Sequence, residues 1–132
     1  MMAVVHDLAE SIVGDITPLD PITPEEKAEK ERNAIQSICN SLDSKRAQEL
    51  IGLWEEYERG ETPEAMLVKD ADKLDMITQA FEYEKRHGVC LEEFFISTEK
   101  IFKTPAFKTL NENLRKSRSA FFSDNPKAQA KP

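Results

Sequence analysis

His6 and Asp7 stand side by side in the apolar run Ala3-Val-Val-His-Asp-Leu-Ala-Glu-Ser-Ile-Val13, with Glu10 within it and Gly14-Asp15 directly after. If the run is a helix, Glu10 lies four residues after His6 and three after Asp7, so an imidazole and two carboxylates share one side of the cylinder. Burying an ionised carboxylate is costly unless it is paired or bound to a cation, and this segment otherwise belongs in a core. One divalent ion would satisfy all three groups. Mixed imidazole and carboxylate ligation suits Mn²⁺, Fe²⁺, Co²⁺ or Zn²⁺ better than Ca²⁺, and Mg²⁺ suits a neighbouring position lined by oxygen alone. A His-Asp dipeptide by itself is common on solvated helix edges, so the pair takes its meaning from a second acid elsewhere.

That second acid is Asp72. Val68 and Met76, four residues to either side, make it an interruption of an apolar stripe, whereas Asp70 and Lys73 are expected to point elsewhere around the same helix. Asp75, one turn further on, could reach the same site, but the helical period favours its facing solvent and pairing with a lysine.

Several segments then carry a likeness together: Val5 to Pro18, Pro24-Glu-Glu-Lys27, Leu53-Trp-Glu-Glu-Tyr-Glu58 and Val68 to Ile77. In order and in register they resemble the HD-domain 5'-deoxynucleotidases. The resemblance implies an all-α, HD-domain-like helical bundle and a metal-dependent phosphatase that removes the 5'-phosphate from deoxyribonucleoside 5'-monophosphates. It implies His6, Asp7 and Asp72 as ligands of a first ion, Mn²⁺, Co²⁺ or similar. It implies Glu10 as the acid that handles the attacking water or a second metal, with Mg²⁺ a candidate for that second position. Asp15, with the backbone carbonyl of Ile16, matches a position of second-metal or sugar contact.

The chemistry so implied is metal-assisted hydrolysis, in which the ion polarises the phosphate and acidifies a water that a carboxylate such as Glu10 positions or deprotonates. No cysteine-phosphatase loop, Ser-centred elbow or Gly-rich phosphate loop offers a competing design. The family's first ligand histidine and its Arg-Trp pair find no match, so the chain is expected to be truncated at its amino end. His87, the other histidine, stands before Gly88 and reads as a cation complementing a helix C-terminus. The alternative reading is therefore a catalytically impaired helical module that acts through partners.

The 132 residues carry a formal net charge of −7, which speaks against a nucleic-acid backbone binder. Cys39 and Cys90 show no disulfide or zinc spacing, as expected of thiols in a reducing cytoplasmic or nuclear setting. The amino terminus lacks a basic segment before its apolar run, and no stretch approaches the roughly 20 apolar residues of a membrane span. Apolar faces left by a truncation favour a homodimer.

The elements that must position these residues are all helical. A first helix is expected over residues 2–13, ending at Gly14, and a proline-bearing loop from Asp15 to Pro24 over the site. Thr23-Pro24 opens a helix to about Ser41, inward at Ala34, Ile35, Ile38 and Leu42 and solvated from Glu25 to Arg32. Asp43 or Ser44 opens another through Arg59, and Thr62-Pro63 opens the Asp72 helix, which runs to about His87. Trp54, Phe94 and Phe95 are expected in the core rather than against a base. Two shorter helices follow, from Cys90 to about Phe102 and from Pro105 to about Ser117. The resemblance implies that residues 1–116 form one partial HD domain, and the polar segment 117–132 is expected to be disordered or weakly docked.

Overall fold

A computed structural model of the chain describes residues 1–17 and 20–126. Among the described residues the regular structure is seven helices and no strand, as expected for an all-α chain. The helix boundaries are written locally. α3 (Pro24–Cys39) opens on a capping box, in which the Glu26 N–H donates to Thr23 Oγ1 at 3.2 Å and the Thr23 N–H to the Glu26 carboxylate at 3.0 Å. α4 (Ser44–Arg59) opens on Asp43, whose carboxylate accepts the Arg46 N–H at 3.0 Å, and stops at Gly60 with φ +63°. α5 (Pro63–His87) opens on Thr62, which accepts the Ala65 N–H at 3.2 Å, and stops before Gly88 with φ +62°.

The chain divides into two compact units, Met1–Val68 and Lys69–Pro132. In the first, helix α3 packs on α4, and the amino-terminal pieces α1 (Met2–Val5) and α2 (Glu10–Val13) pack on α4 and α3 respectively. Val5, Ala9, Ala34, Ile35, Cys39 and Trp54 form the core. Trp54 is 3 % exposed, so it is a core residue. Burial pushes the Cys39 thiol up. Met2, Tyr57 and Ala65 form a smaller cluster, joined by Leu53 and Val68.

The amino-terminal helix departs from expectation. It is not one helix over residues 2–13 but α1 and α2 separated by tightened turns, in which the N–H groups of Leu8, Glu10 and Ser11 reach carbonyls three residues back at 3.1, 3.0 and 3.2 Å. Apolar spacings of three and four serve both winding modes, which is why Met2, Val5 and Ala9 are buried all the same. Two further residues of this unit differ. Glu31, expected on a solvated face, is buried and lies 3.6 Å from the Lys27 ammonium, whereas Leu42, expected inward, is exposed beyond the end of α3.

In the second unit Ile77, Ala80, Phe81, Phe95 and Phe102 form the core, with Phe94 partly buried against it. α6 (Glu92–Ser97) is shorter than the expected helix from Cys90 to Phe102. α7 (Pro105–Asp124) is longer than expected: it continues through residues 117–124, which the sequence assigned to a tail. Phe107, Leu114 and Phe121, at heptad spacing, pack on the core and hold it. The rest of the expected tail, residues 127–132, lies outside the described residues.

Asp70, expected to point elsewhere on the helix than Asp72, turns to the start of α7: it is 3 % exposed and accepts the Thr104 N–H at 2.7 Å, the Thr104 hydroxyl at 2.6 Å and the Lys103 N–H at 3.1 Å. A carboxylate of α5 thereby caps α7, since Thr104 makes no cap bond with its own side chain. Asp70→Ala is expected to cost about 3 kcal/mol, because buried donors lose a charged acceptor. Urea unfolding measures it, and a change under about 1 kcal/mol would show the cap to be dispensable.

Candidate metal centre

His6 follows α1 directly, where its N–H still bonds to the Met2 carbonyl at 2.9 Å. Its ring Nδ1 lies 2.7 Å from the Ala3 carbonyl oxygen. A carbonyl only accepts, so Nδ1 carries a proton, and in the neutral ring Nε2 then presents the lone pair. That Nε2 is a buried atom, 3.1 Å from Asp7 Oδ1. The ring also meets Tyr57, with centroids 4.9 Å apart and planes tilted by 56°.

The spacing can be compared with what a cation requires. Nitrogen and oxygen ligands sit at about 2.1 Å from a first-row divalent ion, so two of them at right angles are about 3.0 Å apart. His6 Nε2 and Asp7 Oδ1 stand at that separation. Two lone-pair atoms at such a distance repel unless a proton or a cation lies against both, and a divalent cation fits the pair. The Asp7 side chain is 53 % exposed, which leaves room on its open side for water or a ligand.

Glu10 is half-buried at the start of α2, and its N–H bonds to the Asp7 carbonyl at 3.0 Å. In this tightened winding residues three apart fall in one row, so Glu10 aligns with Asp7 more closely than with His6. Asp15 is exposed just after Gly14, whose φ of +78° turns the chain out of α2. The Ile16 carbonyl accepts from the Lys27 ammonium at 3.3 Å, tying this loop to α3. A carbonyl has two lone pairs, so one remains for another cation.

In the second unit Asp72 lies on α5, half-buried, with Oδ2 3.0 Å from the Lys73 ammonium. Asp75 is exposed, as expected of a solvated acid. His87 is exposed in the last turn of α5 beside Lys85 and Arg86, the place of a dipole-complementing cation, and its ring meets Tyr83.

Sequence reasoning missed two neighbours of these residues. Tyr57 was read as an inward residue of α4 and nothing more, although its placement one turn after Leu53 sets it beside Met2, four residues before His6. Lys27 was read within a solvated charge-laced face, and no local signal marks its reach back to Ile16 across eleven residues.

Comparison with known proteins adds a second line. The HD-domain family pattern matches residues 1–111. The protein named 5'-deoxynucleotidase HDDC2 of Dictyostelium discoideum is 50 % identical over 122 residues, covering 89 % of this chain and 64 % of that protein. Its namesake from Danio rerio is 49 % identical over 117 residues, covering 84 % and 58 %. The 5'-deoxynucleotidase YBR242W of Saccharomyces cerevisiae is 40 % identical over 129 residues, covering 93 % and 54 %. The chain thus spans less than two thirds of the length of these relatives.

Proposed function

Since the chain belongs to the HD-domain family, we propose that it forms the ligand-bearing part of a metal-dependent 5'-deoxynucleotidase. The proposed substrates are deoxyribonucleoside 5'-monophosphates, in keeping with the 5'-deoxynucleotidase names of the relatives. The observation that carries the reading is the approach of His6 Nε2 to Asp7 Oδ1 at 3.1 Å, with the other ring nitrogen committed to Ala3. Asp72 is the proposed third ligand. His6, Asp7 and Asp72 are together a set of described residues with the donor types for one ion.

A cation of the Mn²⁺ or Co²⁺ kind supplies Lewis-acid polarisation of the phosphate and acidity to a water. Glu10 is the proposed acceptor of that water's proton, a half-buried carboxylate in row with Asp7. Asp15 and the Ile16 carbonyl are the proposed oxygen donors toward a second ion such as Mg²⁺, or toward the sugar. The ligand aspartates hold charge opposite the phosphate's counter-ion and take no covalent part.

The setting we propose is cytoplasmic, with a small phosphate ester and neither nucleic acid nor a membrane as partner. Among the described residues no helix is long and apolar enough to cross a membrane, and Cys39 and Cys90 are unbridged. A homodimer is the proposed assembly, supported by Val4 and Ile12, which are apolar and exposed. Phosphate release from deoxynucleoside 5'-monophosphates, with Mn²⁺ or Co²⁺ added, tests the reading. Turnover that disappears with chelator and exceeds that on ribonucleotides is expected. No release from any deoxynucleotide with either ion would reject it.

A further inference from the structure

The outer torsion of histidine is broad and roughly two-fold rather than sharply staggered, so a histidine that must present one nitrogen needs neighbours that choose the ring orientation. In this chain Ala3 and Tyr57 make that choice. The hydrogen bond to the Ala3 carbonyl at 2.7 Å fixes which nitrogen faces the chain, and a packed neighbour can restrict rotation of the ring about that bond. The Tyr57 ring, 4.9 Å away and tilted by 56°, closes one side of that rotation. Tyr57 is itself 8 % exposed and packed with Met2, Ala65, Leu53 and Val68, so it is a stiff wall rather than a mobile neighbour.

We infer that Tyr57 is a positioning residue for the metal-binding imidazole, its ring face holding His6 Nε2 toward Asp7. This rests on the metal reading given above. The role is assigned to the ring, whose centroid stands 4.9 Å from that of His6. Residues that orient a ligand from outside the coordination shell are typically worth about 10- to 100-fold in metal affinity.

The test is Co²⁺ affinity by equilibrium dialysis on the chain and on Tyr57→Leu and Tyr57→Phe, together with the nitrogen resonances of the His6 ring before metal is added. Tyr57→Leu is expected to weaken Co²⁺ binding by about 10- to 100-fold and to shift or broaden the ring nitrogen resonances as further ring orientations become populated. Tyr57→Phe is expected to retain both the affinity and the single ring state. Should Tyr57→Leu fail to fold, Tyr57→Met replaces it, filling the volume without a planar face. A folded Tyr57→Leu or Tyr57→Met that binds Co²⁺ as the parent does, with the ring state unchanged, overturns the inference. Equal loss in Tyr57→Phe overturns it too, because the hydroxyl would then be responsible. A parent chain that binds no Co²⁺ refutes the metal reading, and the ring resonances still decide whether Tyr57 orients His6.

Discussion

Asp7→Asn is expected to lower phosphate release from deoxynucleoside 5'-monophosphates by about a thousand-fold while leaving the folded chain nearly as stable as before. The loss follows from charge. A carboxylate and an amide have the same shape, but the amide offers the cation a weaker oxygen and turns a donor toward His6 Nε2, now 3.1 Å from Asp7 Oδ1. Metal ions contribute several kcal/mol to charge stabilisation in the transition state, and about 1.4 kcal/mol is tenfold in rate. Stability changes little because more than half of the Asp7 side chain is exposed and replacing it opens no cavity. The measurement is initial rate against metal concentration. Partial recovery at high Mn²⁺ would place the defect in binding of the ion, whereas a variant as active as the parent would remove Asp7 from the ligand set.

Glu84→Ala is expected to be the most damaging single change to the fold, at about 3–5 kcal/mol, the usual cost of breaking one partner out of a buried ion pair. Glu84 is wholly buried and accepts from Arg118 Nε at 2.7 Å and Nη2 at 2.8 Å, and from the Leu91 N–H at 2.7 Å. Arg118 also reaches Glu92 at 2.6 Å and lies over the Phe95 ring at 3.9 Å. Burial pulls the guanidinium down, but hydrogen bonds and charge from Glu84 and Glu92 outweigh it and leave Arg118 above its usual range. Without Glu84 a mostly buried cation keeps only the half-exposed Glu92. Glu84→Met combined with Arg118→Leu is expected to recover most of the loss, since an apolar pair removes both charges. Urea midpoints with unchanged slope read the difference, and a loss under about 1 kcal/mol for Glu84→Ala would contradict the account.

Much of this fold is legible because its signals are local. Asp43, Gly60, Thr62-Pro63 and Gly88 mark the limits of α4 and α5 by capping chemistry that needs no knowledge of the rest of the chain. What escapes is set by partners far away in sequence. The capping role of Asp70 carries no local signal because it is completed by Lys103 and Thr104, more than thirty residues on. The pairing of Glu84 with Arg118 has the same cause, and with it the continuation of α7 past Ser117. A signal was present there, the heptad of Phe107, Leu114 and Phe121, but the polar, Lys/Ala/Pro-rich text after Ser117 reads as tail. At the site, residue types named the chemistry and the family likeness supplied roles, while the break between α1 and α2 carries no glycine or proline to announce it.

The central proposal is that His6, Asp7 and Asp72 are ligands of one divalent cation, and the most direct measurement is Co²⁺ titration of the chain beside His6→Ala, Asp7→Asn and Asp72→Asn. The account predicts saturable binding in the parent and a loss of at least about tenfold in affinity in each variant, with all four proteins folded. Binding that survives unchanged in Asp72→Asn, or that never occurs in the parent, would contradict it.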